Sequence, residues 1–121
     1  MRDATRGGLS GVLSGPRGAA AGRRVRIDET AIPVRAQTLY AAEMLGVDPL
    51  DVANEGKLVA VVPGSESEAA LAAMRGHELG LEASIIGSVE GARDGLCELI
   101  TDVGGSRIIQ KPYGEELPRI C

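Results

Sequence analysis

The sequence predicts an α+β domain, a mixed sheet of four or five strands with helices packed on one face. Three observations lead there. Val25 and Ile27 alternate with charged neighbours over Arg24–Glu29, the period-two pattern of a half-buried strand. Ala36–Leu45 and Ser65–Arg75 space their apolar residues at helical intervals. From Ala83 onward the chain returns to short β-type runs separated by glycine.

Taken in order, Thr5 is expected to cap a first helix in which Leu9, Val12 and Leu13 form an apolar stripe. Gly15 and Pro16 should end or kink it near Ser14, and the Gly/Ala stretch through Gly22 reads as poorly ordered. The strand at Arg24–Glu29 runs out before Pro33. The next helix, Ala36–Leu45, carries Leu39, Tyr40 and Met44 and is closed by Gly46, after which Asp48-Pro49 starts a short turn.

Leu58–Val62 is an unbroken run ending at Pro63, the pattern of a central strand buried on both faces. Ser65 with Glu68 resembles a capping box for the helix to Arg75, with Ala69, Leu71, Ala72 and Met74 turned inward. Ala83–Val89, Leu96–Thr101 and Arg107–Gln110 read as strands, the last two joined as a hairpin by Gly104 and Gly105. Residues 1–110 are thus expected to form one domain and 111–121, with Pro112, Gly114 and Pro118, an exposed and mobile tail.

Composition narrows the function. Of 121 residues 44% are hydrophobic and 25% charged, so a core can form without a metal or disulfide staple. Two tyrosines are the only aromatic residues, which removes base-stacking platforms. A net charge of −4 argues against nucleic acid, and the cluster Arg17, Arg23, Arg24 and Arg26 reads as solvated surface. No run is apolar enough to span a membrane and no signal-peptide pattern opens the chain, so a cytoplasmic location is expected. There Cys97 and Cys121 stay reduced. His77 and the two cysteines lack metal-ligand spacing, and Cys97, among Leu96, Leu99 and Ile100, reads as a core residue.

Three stretches carry chemistry. In Arg2-Asp3-Ala4-Thr5-Arg6-Gly7-Gly8, glycines at a helix start leave backbone N–H groups for an anion; Arg6 adds a forked donor, and Asp3 suits orientation of that donor or a phosphate-held metal. A flexible helix start is the plainer alternative. In Asn54-Glu55-Gly56-Lys57, a carboxylate beside an ammonium precedes a rigid strand, as a proton-transfer group would; a solvated turn is the alternative. In Pro118-Arg119-Ile120-Cys121 a thiol ends the tail, where a nucleophile and acyl acceptor can be carried between sites; an accidental terminal residue is the alternative.

These stretches, in this order and with that ending, resemble the HypE proteins of nickel-iron hydrogenase maturation, members of the aminoimidazole-ribonucleotide synthase-like superfamily. The resemblance spans nearly the whole chain and implies the superfamily's C-terminal domain, with the N-terminal ATP-binding domain absent. It implies that Cys121 accepts a carbamoyl group delivered by HypF from carbamoyl phosphate. ATP, with Mg, then phosphorylates the carboxamide oxygen, and loss of phosphate and protons leaves a thiocyanate whose cyanide passes to HypC and HypD.

By the same resemblance Cys121 is the carrier nucleophile and Glu55 the base. Asn54 and Lys57 position the substrate, and Asp3, Thr5, Arg6, Gly7 and Gly8 line the nucleotide side. The resemblance also implies a homodimeric full-length protein. ATP and Mg would bind mainly through the absent domain, so the isolated chain is expected not to turn over ATP. Two departures stand out: Ala4 replaces a common proline, and Ser14-Gly15-Pro16 replaces a helix-favouring stretch. Other readings are a non-catalytic docking module for HypF or HypC, or part of another ATP-dependent synthase.

Overall fold

The computed structural model describes residues 1–5, 7–15 and 22–110. Arg6, the stretch 16–21 and the tail 111–121 lie outside the described residues, and with them the expectations of a poorly ordered Gly/Ala stretch and a mobile tail.

Among the described residues, six strands and three α-helices follow the chain order β1 (Arg2–Asp3), α1 (Gly8–Ser14), β2 (Arg24–Asp28), α2 (Ala36–Leu45), β3 (Leu58–Val59), α3 (Ser67–Arg75), β4 (Gly87–Glu90), β5 (Cys97–Ile100) and β6 (Ser106–Ile108). A four-stranded mixed sheet has the order β4-β2-β5-β6, with β2 parallel to β5 and the other pairs antiparallel. β1 and β3 form a separate two-stranded antiparallel sheet. The α+β class and the four-stranded mixed sheet agree with the pattern read from the sequence.

The core sits on one face of the larger sheet. Val25 and Ile27 of β2 pair with Cys97 and Leu99 of β5, so their side chains share a face. Leu13 of α1, Leu50 and Ile109 complete the buried cluster, and Leu99 has no exposed surface. On the opposite face Arg26 of β2 lies near its cross-strand partner Glu98, beside Ile100 and Ile108. At the sheet's end Arg24 forms an ion pair with Asp94, whose carboxyl is held below the usual range by the guanidinium's hydrogen bonds.

Local signals near turns held well. α2 spans Ala36–Leu45 with Gly46 as its left-handed cap, and α1 ends at Ser14. The β5–β6 hairpin turns at Gly104-Gly105, with Thr101 N–H donating to the Gly105 carbonyl at 2.9 Å. β2 stops at Asp28, one residue short of the expected Glu29. The Asp28 carboxylate accepts from the Thr30 N–H at 2.9 Å and the Thr30 hydroxyl at 2.7 Å, starting a 3-10 turn over Glu29–Ala31. Those bonds depress the Asp28 pKa.

Other expectations are corrected. Leu58–Val62 is no central strand: among the described residues only Leu58–Val59 pairs, with β1 alone, and Leu58, Val61 and Val62 are exposed. Thr5 does not cap α1, because its hydroxyl donates to Asp3 and the cap position belongs to Gly7. Ser65 lies inside a 3-10 turn (Gly64–Glu66), so α3 begins at Ser67 without a side-chain cap. None of the residues of α3 is buried, and in α2 only Ala42 is. In α3 Leu71 and Met74 are half-buried while Ala69 and Ala72 are exposed, and in α2 Leu39, Tyr40 and Met44 are exposed. The strand expected at Ala83–Val89 is confined to Gly87–Glu90.

Candidate functional site

Two of the three chemically suggestive stretches meet. β1 and β3 run antiparallel in the register Arg2↔Val59 and Asp3↔Leu58, which lays Asp3 beside the end of the Asn54–Lys57 loop. Ala4, 4% exposed, continues the join on both sides of its peptide. Its N–H donates to the Lys57 carbonyl at 3.1 Å, and its carbonyl accepts from the Asn54 N–H at 3.0 Å. A proline at this position has no N–H and could not make the first of these bonds. The alanine thus adds a fastening to the loop instead of only losing rigidity. The sequence offered no cue to this role, which belongs to the backbone.

Behind this seam α1 is packed tightly onto the turn before the loop. The Ser10 N–H donates to the Leu50 carbonyl at 3.0 Å, and Ser10 and Leu50 are both buried. Gly8 is buried at φ +58°, and a Cβ there would lie 2.3 Å from the Leu50 oxygen and 2.6 Å from the Val52 oxygen. Gly8 is therefore a packing glycine. It lets α1 rest against the backbone that delivers Asn54, and α1, with seven residues, begins on Gly7 and Gly8 in left-handed conformation.

Around the seam the side chains are open. Asp3, Asn54, Glu55 and Lys57 are exposed, and Thr5 is partly buried with its hydroxyl committed to Asp3. Among the described residues Glu55 and Lys57 take part in no ion pair, so the expected carboxylate–ammonium contact is not made. Gly56 turns the loop at φ +73°. Arg6 and Cys121 lie outside the described residues. An open cleft of about 430 Å³, lined by Gly22, Arg23, Gly91 and Arg93, involves none of the candidate residues.

Asp3 and Thr5 carry hard oxygen atoms of the kind a magnesium ion accepts, with the Thr5 hydroxyl donating to Asp3, while Gly8 is turned against the Leu50–Val52 backbone. Among the described residues no group of three or more His, Cys, Asp or Glu forms a metal cluster.

Cys97 is the second thiol and is packed at 1% exposure in the core. Burial pushes its pKa up to about 11. At pH 8 this shift alone cuts its thiolate about a hundredfold relative to an ordinary thiol. Peptide mapping after brief maleimide treatment of the native protein at pH 8 should find Cys97 unmodified, and denaturation before labelling should expose it. Rapid native labelling of Cys97 would contradict its place in the core.

The family model described as AIR synthase related protein, C-terminal domain, matches residues 1–98. The carbamoyl dehydratase HypE of Rhizobium leguminosarum bv. viciae is 49% identical over 123 residues, covering 100% of this chain and 34% of that protein. A crystal structure of hydrogenase maturation protein HypE superposes with a TM-score of 0.89 at 41% identity, covering 99% of this chain and 39% of the other. A HypE-HypF complex gives 0.83 at 40% identity, covering 92% and 35%. HypE in complex with ATP gives 0.87 at 40% identity, covering 99% and 37%. The chain spans about a third of the length of the curated relatives it matches. With four fifths of its residues inside the family model and the mixed sheet as observed, the chain belongs to the AIR synthase related proteins, through that family's C-terminal domain.

Proposed function

We propose that this chain is the carrier-bearing part of an ATP-dependent carbamoyl dehydratase that makes the cyanide ligand in nickel-iron hydrogenase maturation. The observation that supports it best is the seam of β1 and β3. In a chain 49% identical to a carbamoyl dehydratase, it joins Asp3–Thr5 to Asn54–Lys57 along one exposed edge.

In this reading the Cys121 sulfur takes the carbamoyl group from HypF, and the 111–121 segment brings the thiocarboxamide to the seam. Glu55 accepts protons from the thiol or the carboxamide nitrogen, while Asn54 and Lys57 hold and polarise the carboxamide. Asp3, Thr5, Arg6, Gly7 and Gly8 serve the phosphate side. ATP with Mg supplies the phosphoryl group that turns a poor oxide leaving group into phosphate. HypC and HypD receive the cyanide, the complete enzyme is a homodimer, and the reaction is cytoplasmic. Among the described residues no helix is long and apolar enough to cross a membrane.

The domain proper is residues 1–110, and the tail is the remaining part. Intact-mass analysis after incubation with HypF, ATP and carbamoyl phosphate should find one carbamoyl adduct, mapped to Cys121 and missing from Cys121→Ser. A chain that stays unmodified while binding HypF would instead be a docking module, and the carrier reading would fall.

A further inference from the structure

The fold sorts the arginines around β2 into two groups. Arg24 and Arg26, within the strand, are committed to carboxylates, Arg24 to Asp94 and Arg26 to Glu98. Arg23, one residue before β2, and Arg93, three residues after β4, take part in no ion pair among the described residues. These two line the same open cleft of about 430 Å³, together with Gly22 and Gly91.

The strand register builds this cleft. β2 and β4 run antiparallel with Arg24 opposite Glu90, so the chain enters β2 through Arg23 beside the point where it leaves β4 through Gly91. Side chains are missing where they would fill the space: a Cβ on Gly22 or on Gly91 would meet nothing within 4 Å. The turn that carries Arg93 is held by the next residue. Asp94 Oδ1 accepts from the Leu96 N–H at 3.2 Å, and Oδ2 accepts from the Arg24 Nε–H at 2.9 Å. The Leu96 carbonyl in turn accepts from the Val25 N–H at 2.8 Å. Asp94 is thus occupied in fastening the turn to β2.

A guanidinium outside an ion pair is a fork of N–H donors that matches phosphate oxygens two at a time, and two guanidiniums match a phosphate dianion in charge. At this end of the sheet the guanidiniums of Arg23, Arg24 and Arg93 stand against the carboxylates of Glu90 and Asp94, a local positive excess in a chain of net charge −4. The volume is that of a small-molecule site and exceeds what a bare phosphate fills.

We propose that the cleft between Arg23 and Arg93 binds the phosphate group of a small organic phosphate. The two guanidiniums hold its oxygens, and the bare positions Gly22 and Gly91 leave room for the rest of the molecule. The site shares no residue with the seam of β1 and β3 and does not depend on the reaction proposed there.

The test is titration of the nitrogen-15-labelled chain with inorganic phosphate and with glycerol 3-phosphate at pH 7.5, where both are mostly dianions. Amide signals of Gly22, Arg23, Gly91 and Arg93 read the cleft, and those of Gly7 and Gly8 read the seam. Saturable shifts are expected at the cleft amides, with the ester bound at least as tightly as inorganic phosphate. Arg23→Gln and Arg93→Gln should each weaken binding about tenfold, the loss of one charge-assisted fork. Gly91→Leu should weaken it comparably with no change of charge, since the position has room and its φ is not positive. Arg26→Gln removes the same charge from a side chain turned to Glu98 and screened by solvent, and should change binding by no more than about twofold.

All four positions are exposed, so thermal midpoints should stay near the parent's. Equal weakening by Arg26→Gln and Arg23→Gln would mean diffuse attraction to a basic face and would overturn the site. Cleft amides that stay unmoved up to about 20 mM ester, or shifts at Gly7 and Gly8 alone, would overturn it as well. Tighter binding of inorganic phosphate than of the ester would overturn the organic phosphate as its ligand.

Discussion

Gly8→Ala should be among the most damaging single-methyl substitutions in this chain. At φ +58° any L side chain is strained, at a cost of about 1–2 kcal/mol. The new Cβ would also lie 2.3 Å from the Leu50 oxygen, 2.6 Å from the Val52 oxygen and 2.8 Å from the Asp51 carbonyl carbon. These are backbone atoms and cannot rotate aside, so α1 or the turn must move, adding about 1–3 kcal/mol. The combined loss, about 2–5 kcal/mol, should lower the melting midpoint by about 10 °C or more.

Gly7→Ala supplies the control. Gly7 has φ +69°, but its added Cβ would meet nothing closer than the Gly11 Cα at 3.4 Å. Only the backbone penalty applies, so Gly7→Ala should cost about 1–2 kcal/mol. Circular-dichroism melts of the two variants read the difference. Equal, small losses would mean that α1 does not rest on the Leu50–Val52 backbone. The consequence reaches the candidate site, because the turn displaced by Gly8→Ala is the one that delivers Asn54 to Ala4.

Glu55→Gln should show the largest effect on chemistry. The side chain is exposed, so the substitution leaves packing unchanged and stability should shift by no more than about 0.5 kcal/mol. The amide keeps the shape and can still accept hydrogen bonds, but it cannot take a proton. If Glu55 is the base for dehydration, thiocyanate formation in the complete enzyme should fall about 10²–10⁴-fold. Carbamoylation of Cys121 in the presence of HypF should continue, provided that Glu55 acts on the carboxamide nitrogen and not on the thiol. Single-turnover formation of thiocyanate from pre-carbamoylated protein separates the two steps. A rate within threefold of the parent would remove Glu55 from the mechanism.

The sequence alone determined a good deal of this protein. The boundaries of α2, the end of α1, the half-buried β2 and the β5–β6 hairpin were legible because short-range signals set them: Gly46 and Gly15 at helix ends, strict alternation at Val25 and Ile27, two glycines at a turn. The burial of Cys97 followed from its aliphatic neighbours. The motifs at Asp3–Gly8 and Asn54–Lys57 were visible as motifs.

Only the tertiary structure decided how those motifs are joined. Burial needs a layer on each side of a strand, and the apolar run Leu58–Val62 states a preference without supplying the layer; among the described residues β3 pairs with β1 alone. Likewise the stripes of α2 and α3 record which faces suit burial, not what lies against them. The seam through Ala4, the packing of Gly8 and the Asp48–Arg107 ion pair each link residues far apart in sequence. Periodicity and capping act over a few residues, whereas backbone pairing between distant segments depends on where the whole chain places them.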